Sequence, residues 1–194
     1  MRLILTIFEN LAGNFAAMRI AVNAIFLHKD QLEGYGHYVK EVFSRMVRQH
    51  PEHTFIFMFD RPFDAQFLFG PNVIPLVVPP TARHALTFKY WYDVKAPLAL
   101  RAYQPDVWVQ PYGFCSLSTN IPQVLVVHDL AFTHYPQFIP WYHRQYYQWY
   151  TKKFLAKAES IVTVSAYSKK DIIEQYSIPL CFIPLTYSYA KIYY

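Results

Sequence analysis

"VLVVHDLAFTHYP", residues 124–136, runs four apolar residues straight into an ionisable pair, His128 and Asp129, and then turns aromatic and polar. A continuous apolar run is the pattern of a strand covered on both faces. It ends where the chain leaves the sheet, so the His-Asp pair falls at the strand's carboxyl end. Two neighbours have the same character: "PDVWVQ" (105–110) before it and "ESIVTVS" (159–165) after it. Upstream, "RIAVNAIF" (19–26), "HTFIFMF" (53–59) and "NVIPLVV" (72–78) are further apolar, β-branched or aromatic runs. Pro75 puts the last of these at or near a sheet edge, because proline has no N–H for a ladder.

Between these runs the period changes to that of helices. Over 36–50, Val39, Val42, Phe43, Met46 and Val47 recur at helical spacing, with Lys40, Glu41, Arg45 and Arg48 on the other side. Residues 85–103 look helical but contain Pro97, which predicts a break and a new turn starting there. Helices are also expected over 140–158 and 167–176. Strand-helix alternation implies an α/β fold: a doubly wound, mostly parallel sheet with right-handed crossovers and helices on both faces, a single Rossmann-like unit. In such sheets ligands bind beyond the carboxyl ends of the strands. That rule selects the loop with Gly34 and Gly36, the Tyr112-Gly113 turn, His128-Asp129, and residues 165–168.

Each place has a chemical and a structural reading. His128 offers a hydrogen bond to a hydroxyl or phosphate, or it packs while Asp129 accepts bonds from the following amides. His134 is near, but the spacing matches no common zinc pattern, so no metal is expected. "LEGYGHYVKEV" (32–42) sets two glycines before a helix whose amino end suits a phosphate; the alternative is a turn needing positive φ. It is neither the G-x-G-x-x-G fingerprint nor a P-loop. Of Ser165 and Ser168, at least one is expected to cap the last helix.

With 194 residues, 54% of them hydrophobic, the chain has material for one ordinary domain. A net charge of +5 favours an anionic partner such as a nucleotide diphosphate, nucleic acid or acidic membrane surface. Cys115 and Cys181, far apart, argue against a disulfide framework and fit a reducing cytoplasm. Residues 1–17 read as an upstream extension, because Glu9 and Asn10 cut the apolar run short; an export signal or anchor is the alternative. The segment 140–158 mixes aromatics with Arg144, Lys152, Lys153 and Lys157, an interfacial membrane pattern. The reading preferred for it is burial, against the sheet on one side and a neighbouring domain on the other.

Taken together, "MRIAVNAIF", "EGYGHYV", "PDVWVQPYG", "VLVVHDLAFTHYPQFIP" and "IVTVSAYSKKDIIEQYSIP" resemble, in this order, the amino-terminal half of a GT-B glycosyltransferase of the family 4 (group 1) type. The resemblance covers 18–179, leaving 180–194 as a divergent tail where the family continues into a second Rossmann domain. It implies transfer of a hexose, with retention, from a nucleotide-sugar to a glycan or lipid-linked acceptor, with no cofactor, no required metal and no nucleic-acid partner. It further implies that Gly34 and Gly36 set amides near the donor pyrophosphate. His128 would contact the transferred sugar, its carbonyl near the anomeric carbon, and Tyr112, Gly113, Asp129, Ser165 and Ser168 would shape the acceptor side. Asp129 is expected to orient its loop. A cytoplasmic site, at the inner face of the membrane if the aromatic helix meets lipid, fits such an enzyme. The truncated chain is expected to be inactive alone, with a separate chain a candidate source of the second domain. The competing class is a non-catalytic module that binds a glycan or a partner.

Overall fold

The computed structural model describes residues 17–28, 32–82 and 85–178. The tail at 180–194 and all of the extension at 1–17 except Ala17 lie outside the described residues. The sheet has six strands, all parallel: β1 (Arg19–Asn23), β2 (Thr54–Phe59), β3 (Val73–Val77), β4 (Val107–Gln110), β5 (Gln123–Val127) and β6 (Ser160–Thr163). Their order is β3-β2-β1-β4-β5-β6, so Pro75 does lie on an edge strand. The reversal of strand order lies between β1 and β4, where this topology opens a crevice.

Burial explains why these runs became strands. Along β5, Val124 and Val126 join the larger core, whereas Leu125 and Val127 join a second core that contains Phe154, Leu155 and Ile172. Successive side chains of a strand point to opposite faces, so a strand covered twice must be apolar throughout. The helix α1 (Gly34–Gln49) packs Val39, Phe43, Met46 and Val47 inward. On its exposed side Arg45 and Glu41 form an ion pair one turn apart.

The break expected at Pro97 is not found. α2 (Ala85–Tyr90) passes through a π turn (Trp91–Lys95) into α3 (Ala96–Leu100) without interruption. The Ala96 N–H donates to Trp91 O, a five-residue reach that widens the helix just where a proline ring would collide with the carbonyl four residues back. The π turn also sets Trp91 and Tyr92 into the core, and Trp91 Nε1 donates to Val78 O at 2.7 Å.

Among the described residues the remaining α-helices are α4 (Ala131–His134), α5 (Trp141–Lys157) and α6 (Ala166–Tyr176), with short 3-10 turns at Ala65–Phe67 and Pro136–Phe138. No helix bridges β4 and β5; an irregular crossover at 111–122 does so. It is fixed by Asp93, whose Oδ1 accepts from the Leu117 N–H at 2.7 Å. A buried amide chain also ties it down. Asn23 Nδ2 donates to Gln110 Oε1 (3.1 Å), Gln110 Nε2 to Gln123 Oε1 (3.0 Å), and Gln123 Nε2 to Ser116 O (2.7 Å). Each amide on three adjacent strands is thus satisfied, which makes polar groups tolerable in a sheet interior.

The α5 aromatics divide into a buried and an exposed set, as the two-sided reading of this segment expects. Thr151, Phe154 and Leu155 are buried, whereas Trp141 is 70% and Trp149 65% exposed. Among the described residues no helix is long and apolar enough to cross a membrane.

Candidate functional site

β5 ends at Val127 and delivers His128 to the rim of a cavity of about 260 Å3. Tyr35, Tyr112, Gly113, His128, Asp129 and Tyr147 are among its lining residues. The Tyr112-Gly113 turn and the His128-Asp129 pair, singled out separately in the sequence, therefore meet in one place.

His128 Nε2 lies 2.9 Å from Pro111 O. A carbonyl only accepts, so Nε2 carries the proton and Nδ1 presents a lone pair. Burial pushes the imidazole pKa below its ordinary value, ahead of the opposing effects of the Pro111 hydrogen bond and the Asp129 charge. His128 is thus a neutral acceptor near pH 7. Tyr35 and Tyr38 hold the ring edge-on, with centroids 4.9 and 4.8 Å away. Burial, assisted by the negative charge of Asp129, pushes the Tyr35 phenol up to about 12, so it keeps its proton as a hydrogen-bond donor.

Asp129 Oδ1 accepts from the Ala131 N–H at 2.9 Å, at the start of α4. Ser165 caps α6, its Oγ accepting from the Ser168 N–H at 3.0 Å. Ser168 differs from the acceptor-facing position expected for it. It is buried, and its hydroxyl donates to the His128 carbonyl at 2.7 Å. With Ser168 donating there, the 2.9 Å contact between the serine hydroxyls runs from Ser165 to Ser168 Oγ. The pair stands behind His128 rather than in the cavity. A second brace is the hydrogen bond from His134 Nε2 to the buried Asp171 Oδ2, 2.7 Å apart, tying α4 to α6.

The two glycines at the head of α1 divide their work. Neither needs positive φ. A Cβ on Gly36 would fall 2.9 Å from Phe26 O and 2.8 Å from Leu32 Cδ2, so glycine is required there for close packing. Gly34 faces open space, and N-cap Glu33 makes no side-chain cap bond to the first amides of α1, which have no partner within the helix. Those amides and the positive end of the helix dipole suit an anion. Gly113, in contrast, has φ +77, and its N–H donates to Val126 O at 2.9 Å. Gly113→Ala is expected to cost about 1–2 kcal/mol through left-handed strain, read as a lower urea midpoint.

Tyr35, Tyr38, Tyr147 and the Pro111 carbonyl were not identified from the sequence. Tyr35 and Tyr38 flank the glycine loop, and that adjacency was the available signal. Tyr147 is one aromatic among many on α5, and a backbone carbonyl leaves no residue-type signature.

The fold is shared with known proteins. A glycosyltransferase from Rickettsia africae ESF-5 superposes with a TM-score of 0.54 at 13% identity, over 89% of this chain and 43% of that one. A protein designated a UDP-N-acetylglucosamine 2-epimerase from Listeria monocytogenes superposes with a TM-score of 0.54 at 11% identity, over 87% of this chain and 44% of its own. The chain thus spans less than half the length of either structure. No curated protein matches the sequence. The family model for Glycosyltransferase Family 4 matches residues 32–185, most of the chain, and on that match the chain belongs to glycosyltransferase family 4.

Proposed function

We propose that these residues form the acceptor-side wall of a cleft in which a hexose passes, with retention, from a nucleotide-sugar to a glycan or lipid-linked acceptor, without a metal in the step. The observation that carries this reading is His128, a lining residue of the cavity whose uncharged imidazole is anchored through Nε2 on Pro111 O, which leaves Nδ1 as its acceptor. Nδ1 accepts a hydrogen bond from a hydroxyl of the transferred sugar. The His128 carbonyl, expected beside the anomeric carbon, is instead held by the buried Ser168 hydroxyl, which fixes the backbone that carries the imidazole. The first amides of α1 take the donor pyrophosphate. An opposite wall, a second Rossmann domain in the same or another chain, carries the nucleotide and excludes water. The test is transfer from a nucleotide-sugar by the protein joined to such a domain, with and without His128→Ala. A glycan-binding module would instead keep saturable glycan binding in that variant.

As a positioning residue, Ser168 has a smaller expected effect. Ser168→Ala removes one buried hydrogen bond, costing about 1 kcal/mol of stability. In the two-walled enzyme it lowers turnover by about five- to tenfold with KM little changed, and Ser168→Thr restores part of it.

The acceptor is proposed to be met at an anionic membrane surface on the cytoplasmic side. From Leu130 to Ala158 the chain carries Arg144, Lys152, Lys153 and Lys157 and no acidic residue. Phe138, Trp141, Tyr142 and Trp149 are exposed on the same stretch, whose Tyr147 and Thr151 border the cavity. Aromatics with cations suit the headgroup region. Binding to phosphatidylglycerol vesicles, but not to phosphatidylcholine vesicles, is expected. The double change Trp141→Ser and Trp149→Ser should weaken it at least about tenfold.

A further inference from the structure

The turn His50-Pro51-Glu52-His53 joins α1 to β2, at the amino ends of the strands and so at the opposite edge of the sheet from the His128 crevice. Its backbone is closely held. The His53 N–H donates to His50 O at 3.2 Å, and Pro51 fixes φ at the second position of the turn. Asn72 Nδ2 reaches the carbonyls of Val47, His50 and His53 at 3.0–3.1 Å, locking the end of α1 to the start of β2.

This frame brings three ligand-type side chains together. Ligand atoms of His50, Glu52 and His53 all lie within 4.8 Å of one another. Glu52 Oε1 is 2.9 Å from His50 Nδ1 and 3.9 Å from His53 Nε2, and the imidazole rings stand nearly parallel with centroids 5.6 Å apart. Ligand atoms around a tetrahedral zinc ion stand about 3.3 Å apart, as bonds of about 2.0–2.1 Å require. The present separations of 2.9 and 3.9 Å bracket that spacing.

We propose that His50, Glu52 and His53 form a binding site for one divalent transition-metal ion, of which zinc is the best fit. Two imidazoles and a carboxylate select zinc, nickel or copper over magnesium or calcium, which prefer all-oxygen shells. Half-exposed Glu52 leaves the fourth position to water. Binding at His50 Nδ1 replaces its hydrogen bond to Glu52, the Nδ1 proton passing through solvent to Nε2. At His53 it moves the proton from Nε2 to Nδ1 and gives up the long 3.4 Å hydrogen bond from the Met18 N–H. The ion would then staple the end of α1 to the start of β2, a structural role separate from the crevice.

The test is calorimetric titration of the full 194-residue chain with zinc chloride, in parallel with thermal unfolding and with cobalt as a spectroscopic reporter. One equivalent is expected to bind and raise Tm, and cobalt is expected to give the visible absorption of a four-coordinate ion. His50→Gln and Glu52→Gln, both on the surface turn, should each lower the affinity at least tenfold while leaving Tm without metal within a degree or two. Less than half an equivalent bound, or affinity unchanged in both variants because the ion sits on other histidines, would overturn the site. Neither result depends on glycosyl transfer.

Discussion

His128→Ala, made in protein that carries both walls of the cleft, is expected to lower glycosyl transfer at least about a hundredfold, the scale for losing one preorganised polar contact to a transition state. The loss is expected mainly on kcat, because the proposed role of the imidazole is a contact with the transferred sugar. It also removes the Pro111 hydrogen bond and the edge contacts with Tyr35 and Tyr38, at a cost of about 1–2 kcal/mol in stability, so activity is to be compared well below Tm. A pH signature accompanies it. In the unfolded chain the imidazole titrates near 6.5, whereas in the folded protein burial holds its pKa lower. As pH falls through 6.5 the unfolded state takes up a proton that the folded state resists, so stability declines on acidification. That decline is shallower in His128→Ala, which urea titrations across this range would read.

The largest loss of stability is expected at Trp91. Its side chain is wholly buried, stands edge-on to Tyr92 with centroids 5.2 Å apart, and donates from Nε1 to Val78 O. Trp91→Ala leaves a cavity and an unpaired carbonyl, costing about 3–5 kcal/mol. A domain of this size has about 5–15 kcal/mol in all, so the variant should unfold at markedly lower urea or precipitate on expression. Trp91→Phe keeps most of the volume and loses chiefly the hydrogen bond, about 1–2 kcal/mol. Near-equal losses in the two variants would mean that the hydrogen bond matters more than the packing.

Trp91 sits in a segment whose local structure is not legible from sequence. The six strands were legible because a doubly covered strand must be apolar throughout, and Val124 to Val127 meet that demand on both faces. The π turn was not legible, because proline within a helical pattern ordinarily signals a break, and only the widened turn shows how Pro97 is accommodated. Asn23, Gln110 and Gln123 look like interruptions in apolar strands until their mutual hydrogen bonds are seen. At the rim, position after a strand picked out His128, Asp129, Tyr112 and Gly113, which share one cavity. It did not reveal that Ser168 reaches across 40 residues to the His128 carbonyl, since a contact of that span leaves no local pattern. Nor did it show that Gly36 serves close packing against Phe26, because turn, phosphate and packing glycines look alike in sequence.

On the proposed reading, this rim is one wall of a transfer site that works only when a second wall closes over it. The most direct measurement compares transfer from a labelled nucleotide-sugar by residues 1–194 alone and by the same residues joined to the second Rossmann domain of a family 4 enzyme. No transfer above background is expected from the first and sustained turnover from the second. Ordinary turnover by residues 1–194 alone, or none once the second wall is supplied, would contradict the account.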